Sequence, residues 1–417
     1  MVGSHALVVG EGRWPFRSSG RQWQRLAAGW IVAALVGGGA VAIGVESPAS
    51  GTSGAAGEDG SGVGAVELPP LPEEARLVLD EDWSDGIEAE RWYVFRRHWG
   101  AGNHGVVEDN VWVETEPDGE GGERQVLVCR AHGDEYEGEV RGLWNRPDRV
   151  GGVIASREFF ASGRYEVEMR IGHAGRFAGG PPDPARPAGM VPAIWTYAGR
   201  TVRVPADEAD RYHDDQPLYQ PYLQEWGPGN GFYWSELDFP EFGKQGDYRR
   251  GLYNTFTNKR HESLELEVPV EFGGEFHTYV SEWRTDLVEL EGVTDGQVME
   301  HEGWWWIRDL EVPFESYLGN PLQRLGADRY AVHTGTVVRH WIDGQYVGEN
   351  RRFVPSMAAQ LTLGVWLPDW AGPAPWRESR VSFGRIRVWQ YDDPGDVRGI
   401  LTEDAEVNIG PDGEPIR

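Results

Sequence analysis

WSELDFPEFG, residues 234–243, places Glu236, Asp238 and Glu241 within six positions, among Trp234, Leu237, Phe239 and Phe242. A solvated acidic loop has no need of those aromatics, and a strand buried on both faces would not tolerate the acids. In a strand, successive side chains alternate faces, so Glu236 and Asp238 point one way while Leu237 points into a core. Glu241, five residues from Glu236, would fall on the opposite face of a regular strand. One extra residue, a β-bulge, returns it to the same side. Pro240 marks the place, because proline within sheets is confined to edges, strand starts and bulges. A bulge at Phe239-Pro240 therefore lines up three carboxylates on one face of a strand whose other face is apolar. Their mutual repulsion costs stability, so the row makes sense where it performs chemistry.

The rest of the chain reads as the same kind of structure. Short alternating runs, RLVLDEDW (76–83), NVWVETE (110–116), RQVLVCRA (124–131), RYEVEMRI (164–171), LELEVPVEF (264–272) and VSFGRIRVWQY (381–391), follow one another between Gly, Asp and Pro. That texture predicts an all-β antiparallel sandwich over residues 70–395, without internal repeats. Asp343-Gly344 is a hairpin signal. Two long polar-aromatic stretches, 199–233 and 292–328, interrupt the pattern and read as functional or lid-like loops. Residues 396–417 read as a tail.

Residues 26–45, LAAGWIVAALVGGGAVAIGV, form an uncharged run preceded by Arg13, Arg17, Arg21 and Arg25. About twenty residues can cross a bilayer, and the basic flank (1–25) sets the N-terminus inside. The segment is expected to be a membrane anchor, or a signal if it is cleaved near SPAS. Either way the sandwich is exported, at the cell surface or secreted. Residues 46–69, rich in Gly, Ser and Ala, read as a flexible linker.

Composition excludes several functions. A net charge of −28, with Lys only at 244 and 259, argues against a nucleic-acid partner. The single cysteine, Cys129, excludes an internal disulfide and a multi-Cys metal site, and its place in QVLVCR reads as a small buried hydrophobe. The histidines are scattered, with no pair at metal-binding spacing, and no phosphate-binding glycine motif stands out. Twenty tryptophans are the outlier. Most read as core, while those near the carboxylates suit a sugar-binding groove.

The pattern E-x-D-x-x-E is weak alone; Asp80, Asp82 and Asp85 repeat its spacing in acids and read as a strand running into a turn. In context, two carboxyls about 5–5.5 Å apart across a glycosidic bond give retaining hydrolysis. Charge crowding would hold the acid partner protonated near neutral pH.

WSELDFPEFG resembles the active-site strand of glycoside hydrolase family 16, in its bulged, laminarinase-like branch. IASREFFASGRYEVEMRI (154–171), GMVPAIWTY (189–197), FHTYVSEW (276–283), QLTLGVWLPDWAG (360–372) and FGRIRVWQY (383–391) resemble that family's segments in the same order. The resemblance, spanning roughly residues 77–391, implies a concanavalin-like β-jelly roll and a retaining endo-β-glycosidase. It implies Glu236 as nucleophile, Asp238 as its helper and Glu241 as acid/base. Trp195, Trp234 and Trp370 would line the cleft, with Asn103 in a cleft-lining loop. β-1,3-Glucan is the first substrate expected, with galactans close behind; transglycosylation and a purely polysaccharide-binding role remain open alternatives. Departures from the family are Thr257 where a His is common, with His261 slightly later, and Glu168 where an Arg is usual. Gly384 stands where many members place a calcium-binding Asp. No cofactor is therefore expected, Asp80 and Asp82 being the remaining candidates for calcium.

Overall fold

A computed structural model of the chain describes residues 67–98, 102–118, 121–172, 187–203, 230–258, 260–272, 274–301, 303–309 and 311–399, with backbone alone at 200–203, 230–233 and 301. The proposed anchor at 26–45, its basic flank, the linker as far as residue 66 and the tail from residue 400 lie outside the described residues.

Eighteen strands are described: β1 (Arg76–Glu81), β2 (Trp92–Val94), β3 (Val111–Pro117), β4 (Glu123–His132), β5 (Gly152–Phe160), β6 (Gly163–Ile171), β7 (Val191–Arg203), β8 (Asn230–Glu241), β9 (Arg250–Thr257), β10 (Arg260–Glu267), β11 (His277–Leu290), β12 (Val298–His301), β13 (Trp304–Ile307), β14 (Leu322–Gly326), β15 (Arg329–Ile342), β16 (Gln345–Asn350), β17 (Ala359–Trp366) and β18 (Glu378–Gln390). They form two antiparallel sheets. The larger runs β12-β13-β14-β15-β11-β6-β18-β4-β3, with β1 on β18 and β16 on β15; the smaller runs β10-β9-β8-β7-β17-β5-β2. The chain is an all-β two-sheet sandwich.

One core lies between the sheets. The smaller sheet contributes Ile154, Ile194, Leu237, Phe239, Leu361 and Leu363, and the larger contributes Leu127, Cys129, Val167, Met169, Trp283 and Phe383. These are alternate residues of their strands, so the other set faces outward. Trp83, Trp92, Trp283, Trp341 and Trp376 are fully buried, which assigns five of the twenty tryptophans to the core. Cys129 is buried and its thiol is pushed up in pKa by that burial. Asp343 and Gly344 both have positive φ (49° and 74°), the hairpin turn that joins β15 to β16. β1 ends at Glu81, and the Asp82–Asp85 stretch turns back, Gly86 donating to the Trp83 carbonyl.

The expectation of a loop is corrected for 292–328, whereas most of 199–233 lies outside the described residues. Residues 199–203 and 230–233 extend β7 and β8 as a paired ribbon out to Arg203 opposite Asn230; residues 204–229 lie outside the described residues. Residues 292–328 fold into β12, β13 and β14 on the edge of the larger sheet. The strand signal there was hidden because both faces of β13 carry the same residue type. Trp304 and Trp306 pack with Met299, Ala198 and Ala359, while Trp305 packs on the opposite side against a second cluster containing Tyr330, Leu322 and Val332. At the C-terminal boundary the packing continues past residue 395: Val397 is fully buried, and the Asp396 carboxylate accepts from Ser162 and Thr285.

Candidate active site

The acids sit on β8, an interior strand of the smaller sheet between β9 and β7. Leu237 and Phe239 enter the core, so Glu236 and Asp238 face outward. Opposite β9, Asp238 pairs with Asn254 and Glu241 with Leu252; opposite β7, Asp238 pairs with Trp195 and Glu241 with Ala193. Both neighbours set two residues against three of β8. The extra residue is the bulge at Phe239-Pro240, whose peptide bond is cis, and it returns Glu241 to the outer face. The turn that follows needs Gly243, with φ +83° and the Met190 carbonyl 2.2 Å from where a Cβ would stand.

Burial and mutual repulsion then set the protonation of the row. Asp238 is buried at 4% exposure, while Glu236 and Glu241 are half-buried. Burial, then the charges of Asp238 and Glu241, hold the Glu236 carboxyl well above its ordinary value, against an opposing Trp234 Nε1–H bond of 2.7 Å. Glu241 is likewise raised by burial and by Asp238, with the Trp366 side chain donating to it. Asp238 is pushed up by burial to about 6, against the opposing hydrogen bonds from Asn254 Nδ2, at 2.7 Å, and from Glu236. The three carboxyls titrate as one set, each holding its proton more tightly than an isolated carboxyl does. Ser263 on β10 donates to Asn254 Oδ1 at 2.5 Å, so a chain of side chains runs from the sheet edge to Asp238.

Aromatic walls flank the acids. On one side Trp195, opposite Asp238, packs with Trp366 and Trp370, and the last two rings meet edge-on at 5.8 Å. Trp195, Trp366 and Trp370 are half-buried, leaving ring surface open. On the other side Trp234 stacks on Phe256 (5.0 Å, 8°), and Phe256 stacks on His261 (5.5 Å, 23°). His261, singled out in the sequence as displaced, thus ends this stack on β10.

Asn103 lies in the loop between β2 and β3. It is buried at 7% exposure, and its side-chain oxygen caps the Gly105 amide at 2.9 Å. The loop abuts the Trp370 segment, since a Cβ on Gly102 would overlap Asp369 Oδ1. Asn103 thus shapes the rim next to Trp370.

Sequence reasoning missed four residues that organise this site. Asn254 and Ser263 hold Asp238, and their only sequence signal was alternation on strands whose pairing was unknown. Trp366 stood in a quoted segment and alternates outward from Leu363 and Val365. Asn258 ties the Trp234 backbone to the 292–328 lobe: its side chain accepts from Trp234 N (3.0 Å) and donates to the Leu318 carbonyl (2.6 Å). That lobe accordingly borders the Trp234 side of the acid row, where Arg260 also pairs with Glu315.

The residues at the suggested calcium position do not fit the ion. Arg385 holds both Asp80 oxygens (2.8 and 2.7 Å), Asp82 accepts the Ser84 amide, and a Cβ at Gly384 would meet Glu168. A cation needing six to eight oxygens would meet a guanidinium there. Among the described residues, no group of three or more His, Cys, Asp or Glu is placed to hold a metal.

No protein-family model matches the chain, and no curated protein matches it. Solved structures similar to it include a prokaryotic β-1,3-1,4-glucanase (lichenase) from a mouse hindgut metagenome, at 15% identity over 74% of this chain and 97% of that one, TM-score 0.41. A β-glucanase of Bacillus licheniformis is similar at 13% identity over 74% and 96%, TM-score 0.40. An endo-β-1,3(4)-glucanase of glycoside hydrolase family 16 is similar at 14% identity over 78% and 98%, TM-score 0.41. Likenesses of this degree carry no weight for what the chain does, which rests on the residues above.

Proposed function

We propose that this protein is a retaining endo-β-glycosidase acting on a β-linked polysaccharide. The observation that carries the proposal is the bulge that brings Glu241 round to Glu236 and Asp238 on one outer face, between aromatic walls. The retaining outcome, which needs the two carboxyls about 5–5.5 Å apart rather than about 6.5–9.5 Å, is taken from the motif's resemblance.

The roles are those that the motif's resemblance implies. Glu236 must attack as a carboxylate, and its proton has a route through its hydrogen bond to Asp238. On moving there it leaves Glu236 anionic, with the Trp234 N–H stabilising that anion. Glu241, kept protonated by burial, delivers its proton to the glycosidic oxygen as the C–O bond breaks and Glu236 bonds to the anomeric carbon. Glu241, now a carboxylate, takes a proton from water as that water displaces Glu236. If a sugar hydroxyl replaces the water, the same residues perform transglycosylation. Trp195, Trp234 and Trp370 offer ring surface for the sugars. β-1,3-Glucan is the first substrate to test, on the strength of the motif's resemblance, and galactans the next. The uncharged segment 26–45 with its basic flank supports an exported protein, tethered to the cell membrane or secreted.

The test is release of reducing ends from a panel of β-glucans and galactans by the full-length chain, with Glu236→Gln and Glu241→Gln alongside. Activity on one polymer, lowered by about 10²–10⁴-fold or more in each variant, is expected. Turnover that survives Glu236→Gln would refute the assignment. A polymer bound but never cleaved by the wild type would favour the recognition role instead.

A further inference from the structure

The rim beyond Trp370 carries a tryptophan with an unusual setting. Trp144 is 50% exposed, one of five large hydrophobic side chains exposed among the described residues. Its backbone is left-handed (φ 54°, ψ 26°), as are those of its neighbours Asn145 and Arg149. That conformation is unfavourable for a bulky side chain and persists only where the surroundings impose it. Here they do. Leu143, the preceding residue, is fully buried and donates its amide to the His104 carbonyl at 2.8 Å; Gly142 and Arg146 close the turn at 2.7 Å. The indole is met edge-on by His98 (5.1 Å, 69°) and His104 (6.4 Å, 83°). So the ring is positioned by its backbone and two imidazoles, yet half of it is left in water, where it adds little to the core.

The same loop is fastened to the aromatic wall. The Arg149 guanidinium donates to the carbonyls of Gly102, Leu367 (3.0 Å), Pro368 (3.1 Å) and Gly372 (3.3 Å) and pairs with Asp134 at 3.2 Å. One side chain thus joins the Trp144 loop, the Asn103 loop and the segment carrying Trp366 and Trp370. An exposed, rigid ring set on the same rim as two cleft tryptophans has the chemistry of a sugar platform. The C–H-rich face of a pyranose packs on an indole as other apolar faces do.

We propose that Trp144 is an outlying subsite, binding a pyranose unit of a polymer that continues from the acid row past Trp370. The inference rests on the glycosidase reading for naming the ligand as that same polysaccharide. It predicts a length dependence: only chains reaching beyond Trp370 gain from Trp144.

The experiment measures binding of the polymer, and of oligosaccharides of increasing length, to the full chain carrying Glu236→Gln, with and without Trp144→Ala. Affinity for the polymer and the longest oligosaccharides is expected to fall about tenfold, the size of one good aromatic contact. The shortest oligosaccharides that bind should be unaffected. Trp144→Tyr, which keeps a ring, should retain most of the affinity, and the melting temperature should not move. Equal losses for short and long chains, or none, would overturn the subsite; so would a lowered melting temperature that Trp144→Tyr shares. If the wild type cleaves nothing while the length-dependent loss is seen, the subsite stands and the hydrolase reading falls. If no polymer binds, both fall.

Discussion

Replacing Asp238 by asparagine tests the electrostatic reading of the row without removing its shape. Asp238 is 4% exposed, so its ionisation is little screened by solvent. Burial raises its pKa from 3.8 to about 6. Because the folded value lies above the unfolded one, the folded protein binds a proton more tightly than the unfolded chain. The associated stability is fully present below pH 3.8 and is lost as pH rises through about 6. Two units at 1.36 kcal/mol each make the loss about 3 kcal/mol. The amide introduced by Asp238→Asn would not ionise, and its oxygen can still accept from Asn254. The variant should therefore match the wild type near pH 3.5 and exceed it by about 3 kcal/mol at pH 8, or roughly 5 °C in melting temperature for a domain of this size. The assay is urea or thermal unfolding of both proteins across that range. Turnover should fall together with the rise in stability, because Glu236 loses the site that receives its proton. A stability difference that is the same at both pH values would show that the cost is not one of ionisation, and a difference that shrinks with rising pH would reverse the sign and refute the argument.

Three further outcomes follow from the same contacts. Trp366→Phe removes the hydrogen bond that favours ionised Glu241, so the alkaline limb of the pH–rate profile should move to higher pH; a limb that moves down would assign the acid elsewhere. Asn254→Leu takes away a 2.7 Å bond to a charged carboxylate, worth about 1.5–3 kcal/mol, so kcat should drop about 10- to 100-fold with little change in KM. An unchanged kcat would leave Asn254 a mere filler. Arg149→Ala strips four rim carbonyls and Asp134 of their donor, which should lower stability by about 2–4 kcal/mol and raise KM more than it lowers kcat, as read from unfolding curves and polymer kinetics.

The β8 assignment was legible because Leu237, Phe239 and Pro240 constrain the acids locally: alternation sets the face and proline sets the bulge. Nothing comparable is local to Asn254, Ser263 or Arg149. Their roles depend on which strands and loops become neighbours, and strand order is settled by packing across the whole sandwich. The 292–328 stretch failed for a different reason. Period two is detected as a contrast between faces, and Trp304, Trp305 and Trp306 show no contrast although they alternate between two apolar clusters. Asn103 was placed near the cleft from its motif, and the structure makes it a buried cap on the rim loop.

The strand that carries the acids is also what makes their burial tolerable. Leu237 and Phe239 fix β8 in the core from its inner face, so repulsion on the outer face cannot be relieved by moving the backbone. Ladders to β7 and β9 hold both flanks of the bulge. With geometry fixed, the repulsion and burial raise the carboxyls' affinity for protons, which is the direction an acid catalyst needs. The acids at the end of β1 are relieved differently: the Arg385 guanidinium pairs with Asp80, and the Ser84 amide donates to Asp82. Both acids there are lowered in pKa, chiefly by hydrogen bonds from Arg385 and Ser84 respectively. The first two acids of each set, at identical spacing, are thus shifted in opposite directions, and the difference lies in what the intervening residues pack against.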